Sequence, residues 1–230
     1  MQKETLYPLF LDLSDAEVLV VGAGSVALRK IEHLLSAGAK VKVVAPSALD
    51  EIASLAEAGV ITWCKKSFEE SDLACCMLVI GATDDPLVNK CVHDAANAKH
   101  CIVNIVDTPD LCNAIVPSVM QRGPLQIAVT TSGASPELAR ELRLGLEDEF
   151  KDYWGAYVRV LGEVRSLIKI RIPGSNKRRA PLYKALLQTD LKSRFEKGER
   201  PDAQSVYAEY VCPVIKRELP ECIGDCEACK

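Results

Sequence analysis

Val18-Leu19-Val20-Val21-Gly22-Ala23-Gly24-Ser25-Val26-Ala27 is the most informative run in the chain: a short apolar, β-rich segment passes straight into two closely spaced glycines and then into a helical pattern. The spacing is G-x-G-x-x-A. The first glycine permits a tight turn, the second lets a pyrophosphate come close to the backbone, and Ala27 is small enough for the helix to pack on the strand. The start of that helix, Val26 to Ser36, offers free N–H groups and positive potential to phosphates. A purely structural glycine turn competes with this reading of the loop alone. The loop gains weight from standing after the first central strand of a βαβ unit.

Around this run, short β-rich segments alternate with longer helical ones. Strands are predicted at Glu17 to Val21, Lys40 to Ala45, Ile61 to Lys65, Met77 to Ile80 and Ile102 to Val106. Helical spacing of apolar residues marks Val26 to Ser36, Leu49 to Ala58 and Leu87 to Ala98, so the sheet is expected to be parallel. The fold class is α/β, a Rossmann-type doubly wound parallel sheet. A short strand at Pro8 to Asp12 is expected to precede it, with a turn at Ser14-Asp15. After Val106 the pattern changes. Asn113 to Val116 and Leu125 to Thr131 read as extended around an Arg122-Gly123-Pro124 turn, and Ser135-Pro136-Glu137 opens a helix running to about Tyr153. Two strands and a helix cannot form a core alone, which points to packing against a second copy. From Lys151 onward only helices are predicted, at Tyr153 to Ile170, Leu182 to Lys197 and Ala203 to Val211, with loops at Pro173 to Asn176 and Gly198 to Pro201. The expected division is a dinucleotide-binding Rossmann domain at 1–112, a small α+β dimerisation segment at 113–150, and a helical C-terminal domain at 151–230 with a cysteine-rich tail.

The composition fits a soluble globular protein: 48% hydrophobic and 26% charged residues in a chain of 230. No apolar run approaches the roughly 20 residues that cross a bilayer, and the polar Met1 to Glu4 is no leader. No membrane association is expected, and the ten cysteines without a leader indicate a reducing, cytoplasmic setting. Six of them, Cys64, Cys75, Cys76, Cys91, Cys101 and Cys112, sit among apolar residues and read as small buried hydrophobes. The net charge of -4 hides an asymmetry, because residues 151–230 carry 16 Lys and Arg against 11 Asp and Glu. That excess suits an acidic ligand or solvated helix faces. No aromatic-basic pattern points to nucleic acid, so none is expected as a partner. His33, His93 and His100 form no pair at metal-ligand spacing, and packed or surface roles suit them best.

The end of the second strand ordinarily carries an acid that holds an adenosine ribose. Here Val43-Val44-Ala45-Pro46-Ser47 offers only backbone groups and the Ser47 hydroxyl, and no Arg follows to hold a 2′-phosphate. Gly81-Ala82-Thr83-Asp84, after the fourth strand, supplies small residues against a cofactor, or else an ordinary turn with Thr83 or Asp84 capping the next helix. Asp107 follows the fifth strand at the carboxyl edge of the sheet, where doubly wound folds bind ligands. A loop-capping acid before Thr108-Pro109 is the alternative.

Together these stretches resemble the siroheme synthase N-terminal family, which includes precorrin-2 dehydrogenases and bifunctional dehydrogenase and sirohydrochlorin ferrochelatases. The residues carrying the resemblance are Tyr7-Pro8-Leu9-Phe10, Val20 to Lys30, Val44-Ala45-Pro46, Ala82-Thr83-Asp84-Asp85, Asn104-Ile105-Val106-Asp107, Ala128 to Pro136 and Leu138-Ala139-Arg140, in order over about residues 6–150. The last 80 residues match only as a helical region. The resemblance implies NAD-dependent oxidation of precorrin-2 to sirohydrochlorin, with ferrous iron as a further chelatase substrate, and a homodimer built through residues near 113–150. It places NAD on Gly22, Gly24, Ser25, Val26, Pro46, Ser47 and Thr83. The missing acid after the second strand is usual there. The position of Asp107 matches the aspartate proposed for both dehydrogenation and chelation.

For the substrate, an anionic tetrapyrrole, Asn104 either orients it or bonds a backbone edge. Thr131, Ser132 and Gly133 either bind its carboxylates or cap the following helix. Arg140 and Arg143, three apart, either approach one anion or are exposed charges. Lys177, Arg178 and Arg179 form the densest basic group of the C-terminal part. Cys222-x3-Cys226-x2-Cys229, with Cys212 ten positions earlier, holds enough thiolates for a zinc or iron-sulfur site, against the alternative of reduced thiols on a tail. A nucleotide-sensing regulatory module and a metal or redox sensor acting through the tail are the other two readings. The first usually has an acid where Ala45-Pro46 stands and gives Asp107 and Thr130 to Pro136 no role.

Overall fold

The computed structural model describes residues 6–74 and 76–219, which form two compact units, one of residues up to Val116 with Ser132–Ser135 and the other of Pro117–Thr131 with the chain from Pro136 onward.

In the first unit five strands, β1 (Glu17–Val21), β2 (Lys40–Val44), β3 (Thr62–Cys64), β4 (Leu78–Gly81) and β5 (Ile102–Ile105), make a parallel sheet in the order β3-β2-β1-β4-β5. Helices α1 (Ser25–Ser36), α2 (Asp50–Glu57) and α3 (Pro86–Ala98) provide the crossovers. Strands buried on both faces read as continuous apolar runs, and that is why Val18 to Val21 is uninterrupted. Val18, Val20, Val41, Val43 and Ile80 point to one face, with Ala27 and Ile31 of α1 and Ile52 of α2. Leu19, Val21, Val79, Val103 and Ile105 point to the other, with Val92, Ala95 and Ala96 of α3.

The strand expected at Pro8 to Asp12 is absent. Among the described residues no strand pairs with them, and Leu9 and Phe10 are 67% and 61% exposed. The Ser14-Asp15 turn is present, with Asp15 at a φ of 62°. Beside β2, the carboxylate of Asp72 is buried and accepts from Lys42 Nζ at 3.0 Å and from the Glu69 N–H at 3.0 Å, with Lys66 Nζ at 3.1 Å. Burial alone would raise its pKa, but the bonds from Lys42, Glu69 and Lys66 outweigh it and hold the group below the ordinary carboxylate value.

The second unit opens with a hairpin, β6 (Ser118–Arg122) and β7 (Leu125–Val129), turned at Gly123 with a φ of 55°. The extended segment expected at Asn113 to Val116 is not its first strand. Asn113 is occupied at the edge of β5, where its Oδ1 accepts from the Val103 N–H at 2.7 Å and its amide donates to the Cys101 carbonyl at 2.9 Å. Helix α4 (Pro136–Glu149) stops short of Tyr153 for a physical reason. Arg122 of β6 donates to the carbonyls of Glu147 and Phe150, satisfying the last turn from outside. A separate helix, α5 (Tyr153–Arg171), follows.

The predicted helix at Leu182 to Lys197 is two: α6 (Asn176–Leu187), capped by Ser175, and α7 (Leu191–Glu196). Thr189 separates them, its hydroxyl donating to the Leu186 carbonyl at 2.8 Å. The helix predicted to end at Val211 continues from α8 (Ala203–Val206) through a π-helical turn at Tyr207–Val211 into α9 (Cys212–Glu218). Pro213 has no N–H to give the preceding turn, which accounts for that irregularity. Val164, Ile168, Leu182, Leu191, Phe195 and Tyr207 form the core of this unit.

Candidate functional site

A cleft of about 700 Å³ opens at the carboxyl edge of the parallel sheet, and Gly22, Gly24, Ser25, Val26, Pro46, Ser47 and Thr83 all line it. The strand ends explain the convergence. Gly22 has a φ of 107°, and a Cβ there would overlap the Ala82 carbonyl, so only glycine lets the ends of β1 and β4 approach. A Cβ on Gly24 would meet nothing within 4 Å and would project into open space. Gly24 caps α1 without a side-chain hydrogen bond, and the first turn of α1 carries no acid. A bare, uncharged helix start beside a glycine is the donor set that suits a pyrophosphate, and these residues fit a dinucleotide. Trp63 of β3 donates its indole N–H to the Ala45 carbonyl at 3.0 Å and so fixes the chain leading into Pro46 and Ser47.

Ser67 and Phe68 also line the cleft, as do Asp84 and Asp85. The sequence reading missed the first two, although their place directly after the third strand was a usable signal. The cap of α3 is neither Thr83 nor Asp84. Asp85 accepts from the N–H groups of Leu87 and Val88, while the Thr83 hydroxyl donates to the buried Asn89 Oδ1 at 2.9 Å.

Asp107 lies one residue beyond Val106 at the end of β5, exposed, with a φ of 56°. Left-handed backbone is tolerated by aspartate better than by most residues. The loop behind it is tied down densely. Cys112 Sγ accepts from the Ile105 N–H at 3.1 Å and lies 3.2 and 3.3 Å from the carbonyls of Ile105 and Thr108. Asn104 donates to the Ala114 carbonyl at 3.0 Å, the backbone-bonding role rather than one reserved for a ligand. His93 Nδ1 sits 2.8 Å from the Leu111 carbonyl.

Cys112 was expected to be an apolar filler, and it is a polar clip. Cys91 is exposed and Cys64 half-buried, while Cys76 and Cys101 are buried as expected, and Cys75 lies outside the described residues.

Ser132 and Gly133 take consecutive positive φ values, 53° and 85°. Thr131 belongs to the second unit, as does Arg140, which is exposed on α4. Arg143 is paired with Glu147 one turn on. Arg178 and Arg179 hold their own loop, donating to the carbonyls of Pro173 and Ile172 at 3.4 and 3.2 Å, and Lys177 is exposed. Cys212 is buried in the helical core, and Cys222, Cys226 and Cys229 lie outside the described residues. Among the described residues no group of three or more His, Cys, Asp or Glu is placed to hold a metal, and no helix is long and apolar enough to cross a membrane.

Sheet order, glycine turn and cleft together define a Rossmann-type dinucleotide-binding protein. A family described as putative NAD(P)-binding matches residues 9–118, and one described as sirohaem biosynthesis protein central matches residues 122–148. Siroheme synthase of Nitrosococcus oceani is 40% identical over 197 residues, which is 86% of this chain and 42% of that protein. Siroheme synthase of Methylococcus capsulatus is 39% identical over 213 residues, 93% of this chain and 45% of that one. The chain thus spans less than half the length of these relatives. Among solved structures, SirC, a precorrin-2 dehydrogenase, superposes with a TM-score of 0.69 at 30% identity, covering 84% of this chain and 98% of its own. The chain belongs to the siroheme synthase N-terminal family.

Proposed function

We propose that the protein oxidises precorrin-2 to sirohydrochlorin with NAD⁺ in siroheme biosynthesis. The observation that carries this is the juxtaposition, on one sheet edge, of a cleft suited to a dinucleotide and the exposed carboxylate of Asp107. The oxidation removes one hydride and one proton from the tetrapyrrole. NAD⁺, when bound, supplies the hydride acceptor and leaves as NADH. Gly22, Gly24 and the start of α1 hold its phosphates, Pro46, Ser47 and Thr83 flank it, and Asp107 accepts the proton. The absence of a basic side chain directly after β2 supports NAD⁺ over its 2′-phosphorylated form.

In the same reading, residues 1–112 bind the dinucleotide. Residues 113–150 form a homodimer, supported by the exposed apolar side chains of Val119, Leu138, Leu142 and Leu144 on the hairpin and α4. Residues 151–230, Thr131, Ser132, Gly133 and Arg140 serve the tetrapyrrole. Insertion of ferrous iron displaces two pyrrole protons, and Asp107 would accept one of them. The setting is cytoplasmic, as the reading of the ten cysteines in the sequence suggests. A zinc or iron-sulfur group on Cys212, Cys222, Cys226 and Cys229 gains no support from the burial of Cys212.

Purified protein incubated anaerobically with precorrin-2 and NAD⁺ is expected to form sirohydrochlorin, followed by absorbance. Ferrous iron added afterwards tests the chelatase step against the rate without protein. A folded protein giving no NAD⁺-dependent turnover would overturn the proposal.

A further inference from the structure

Lys30 is a charged group that the reaction above leaves unused, and its surroundings differ from those of the other described lysines in its unit. Lys40 pairs with Asp15, Lys42 with Asp72, Lys66 with Glu69 and Asp72, and Lys90 with Asp94. Lys99 donates to the Glu70 carbonyl, and Lys65 lies over the Trp63 ring. Lys30, half-buried on α1, has no ion pair or hydrogen bond among the described residues. An ammonium withdrawn from water without a partner is costly, which is the ordinary signature of a group awaiting an anion.

Three observations say where that anion lies. Val26 lines the dinucleotide cleft, but Ala27 to Lys30 do not, so the ammonium stands outside the phosphate cradle. Ala27 and Ile31, which flank Lys30 along α1, are buried in the apolar cluster against which Val106 packs, and Asp107 is the next residue. Burial depresses the Lys30 pKa and the neighbouring Arg29 depresses it further, while the charge of Asp107 acts in the opposite direction.

We propose that Lys30 binds a carboxylate of the tetrapyrrole substrate beside Asp107, orienting the ring so that the proton to be lost faces Asp107. This rests on the function proposed above. A carboxylate between the two leaves Asp107 free to accept a proton, whereas a direct ion pair would quench it. Sequence reasoning passed over Lys30 because a lone helical lysine is ordinarily a solvated charge.

The test compares wild type, Lys30→Met and Lys30→Arg in steady-state oxidation of precorrin-2, with the affinity for NAD⁺ and for sirohydrochlorin measured separately. Loss of one charge-assisted hydrogen bond predicts that Lys30→Met raises the KM for precorrin-2 and weakens sirohydrochlorin binding by about tenfold to a hundredfold. Affinity for NAD⁺ is expected to stay within about twofold, since only phosphate and ribose contacts elsewhere set it. Lys30→Arg is expected to restore most of the loss, which a merely structural role would not predict. Should Lys30→Met fail to fold, Lys30→Gln carries the same expectation. An unchanged KM for precorrin-2, or an equal loss for NAD⁺, would overturn the assignment. Wild-type protein without turnover sinks the proposed function itself, while wild-type turnover with an indifferent Lys30→Met sinks only this inference.

Discussion

The charge network of the helical unit contrasts with two particular charges of the dinucleotide-binding unit. In the helical unit Arg194 donates to Glu199 at 2.7 Å, to Glu209 at 2.8 Å and to the Tyr210 hydroxyl at 3.0 Å, and Tyr210 in turn donates to Asp190 at 2.6 Å. Glu199, Tyr210 and Glu209 together hold the guanidinium still more firmly in its charged form. Arg122 likewise closes the end of α4. In the dinucleotide-binding unit the charge of Asp72 is matched in the same manner, but among the described residues Lys30 and Asp107 form no ion pair. Saturated charges hold structure, and charges left without a partner at a sheet edge are available for chemistry. The basic excess of the C-terminal part therefore says less about a ligand than its size suggests, because much of it is spent on carbonyls and carboxylates within the unit.

This contrast can be broken by experiment, and the largest effect is expected at Asp107. Asp107→Asn tolerates the left-handed backbone, so the unfolding midpoint should hold while kcat falls by about 10²-fold or more. Retained turnover would mean that the proton goes elsewhere. Phe195→Ala, in the core of the other unit, should cost about 3–5 kcal/mol. Each unit has its own tryptophan, Trp63 in the first and Trp154 in the second. With Trp63→Phe as background, denaturation followed through Trp154 should shift, while the affinity for NAD⁺ stays put. A matching loss of NAD⁺ binding would show that the units are energetically one.

Gly24→Val sharpens the comparison within the first unit. Its Cβ meets no protein atom, so stability should change by about 1 kcal/mol or less, whereas NAD⁺ affinity should fall by about tenfold or more as the side chain fills the cradle. Equal affinity, measured by titration, would remove the pyrophosphate from this loop. Asp72→Asn is expected to cost about 2 kcal/mol of stability and to leave NAD⁺ affinity as it is. The folded pKa of Asp72 lies below its unfolded value, so its contribution is present above about pH 4 and disappears as pH falls through the folded pKa. Acid titration of stability should accordingly be shallower in the variant.

The core of the first unit was legible because its strands have little freedom. Val18 to Val21 must be buried on both faces, and a glycine pair after it admits few geometries. All five strands and three helices stand where periodicity puts them, within a residue or two at each end. Legibility failed where a distant side chain intervened. Arg122 ends α4 early, Thr189 divides a helix, and Asn113 trades a place in the hairpin for the edge of β5. None of these partners is encoded by local spacing, since each depends on what the fold brings alongside.

The site divides in the same way. Sequence alone determined the dinucleotide cradle, because its glycines, the small Ala27 and the helix start are contiguous and their roles follow from backbone geometry. It also determined that Asp107 stands at the carboxyl edge, because that position follows from strand polarity. Only tertiary structure decided that Asp85 caps α3, that Cys112 clips the Asp107 loop and that Asn104 serves the backbone. The placing of Lys30 near Asp107 belongs there too. The two are 77 positions apart in the chain, and what links them is one apolar cluster that includes Ala27 and Ile31 of α1 and against which Val106 packs.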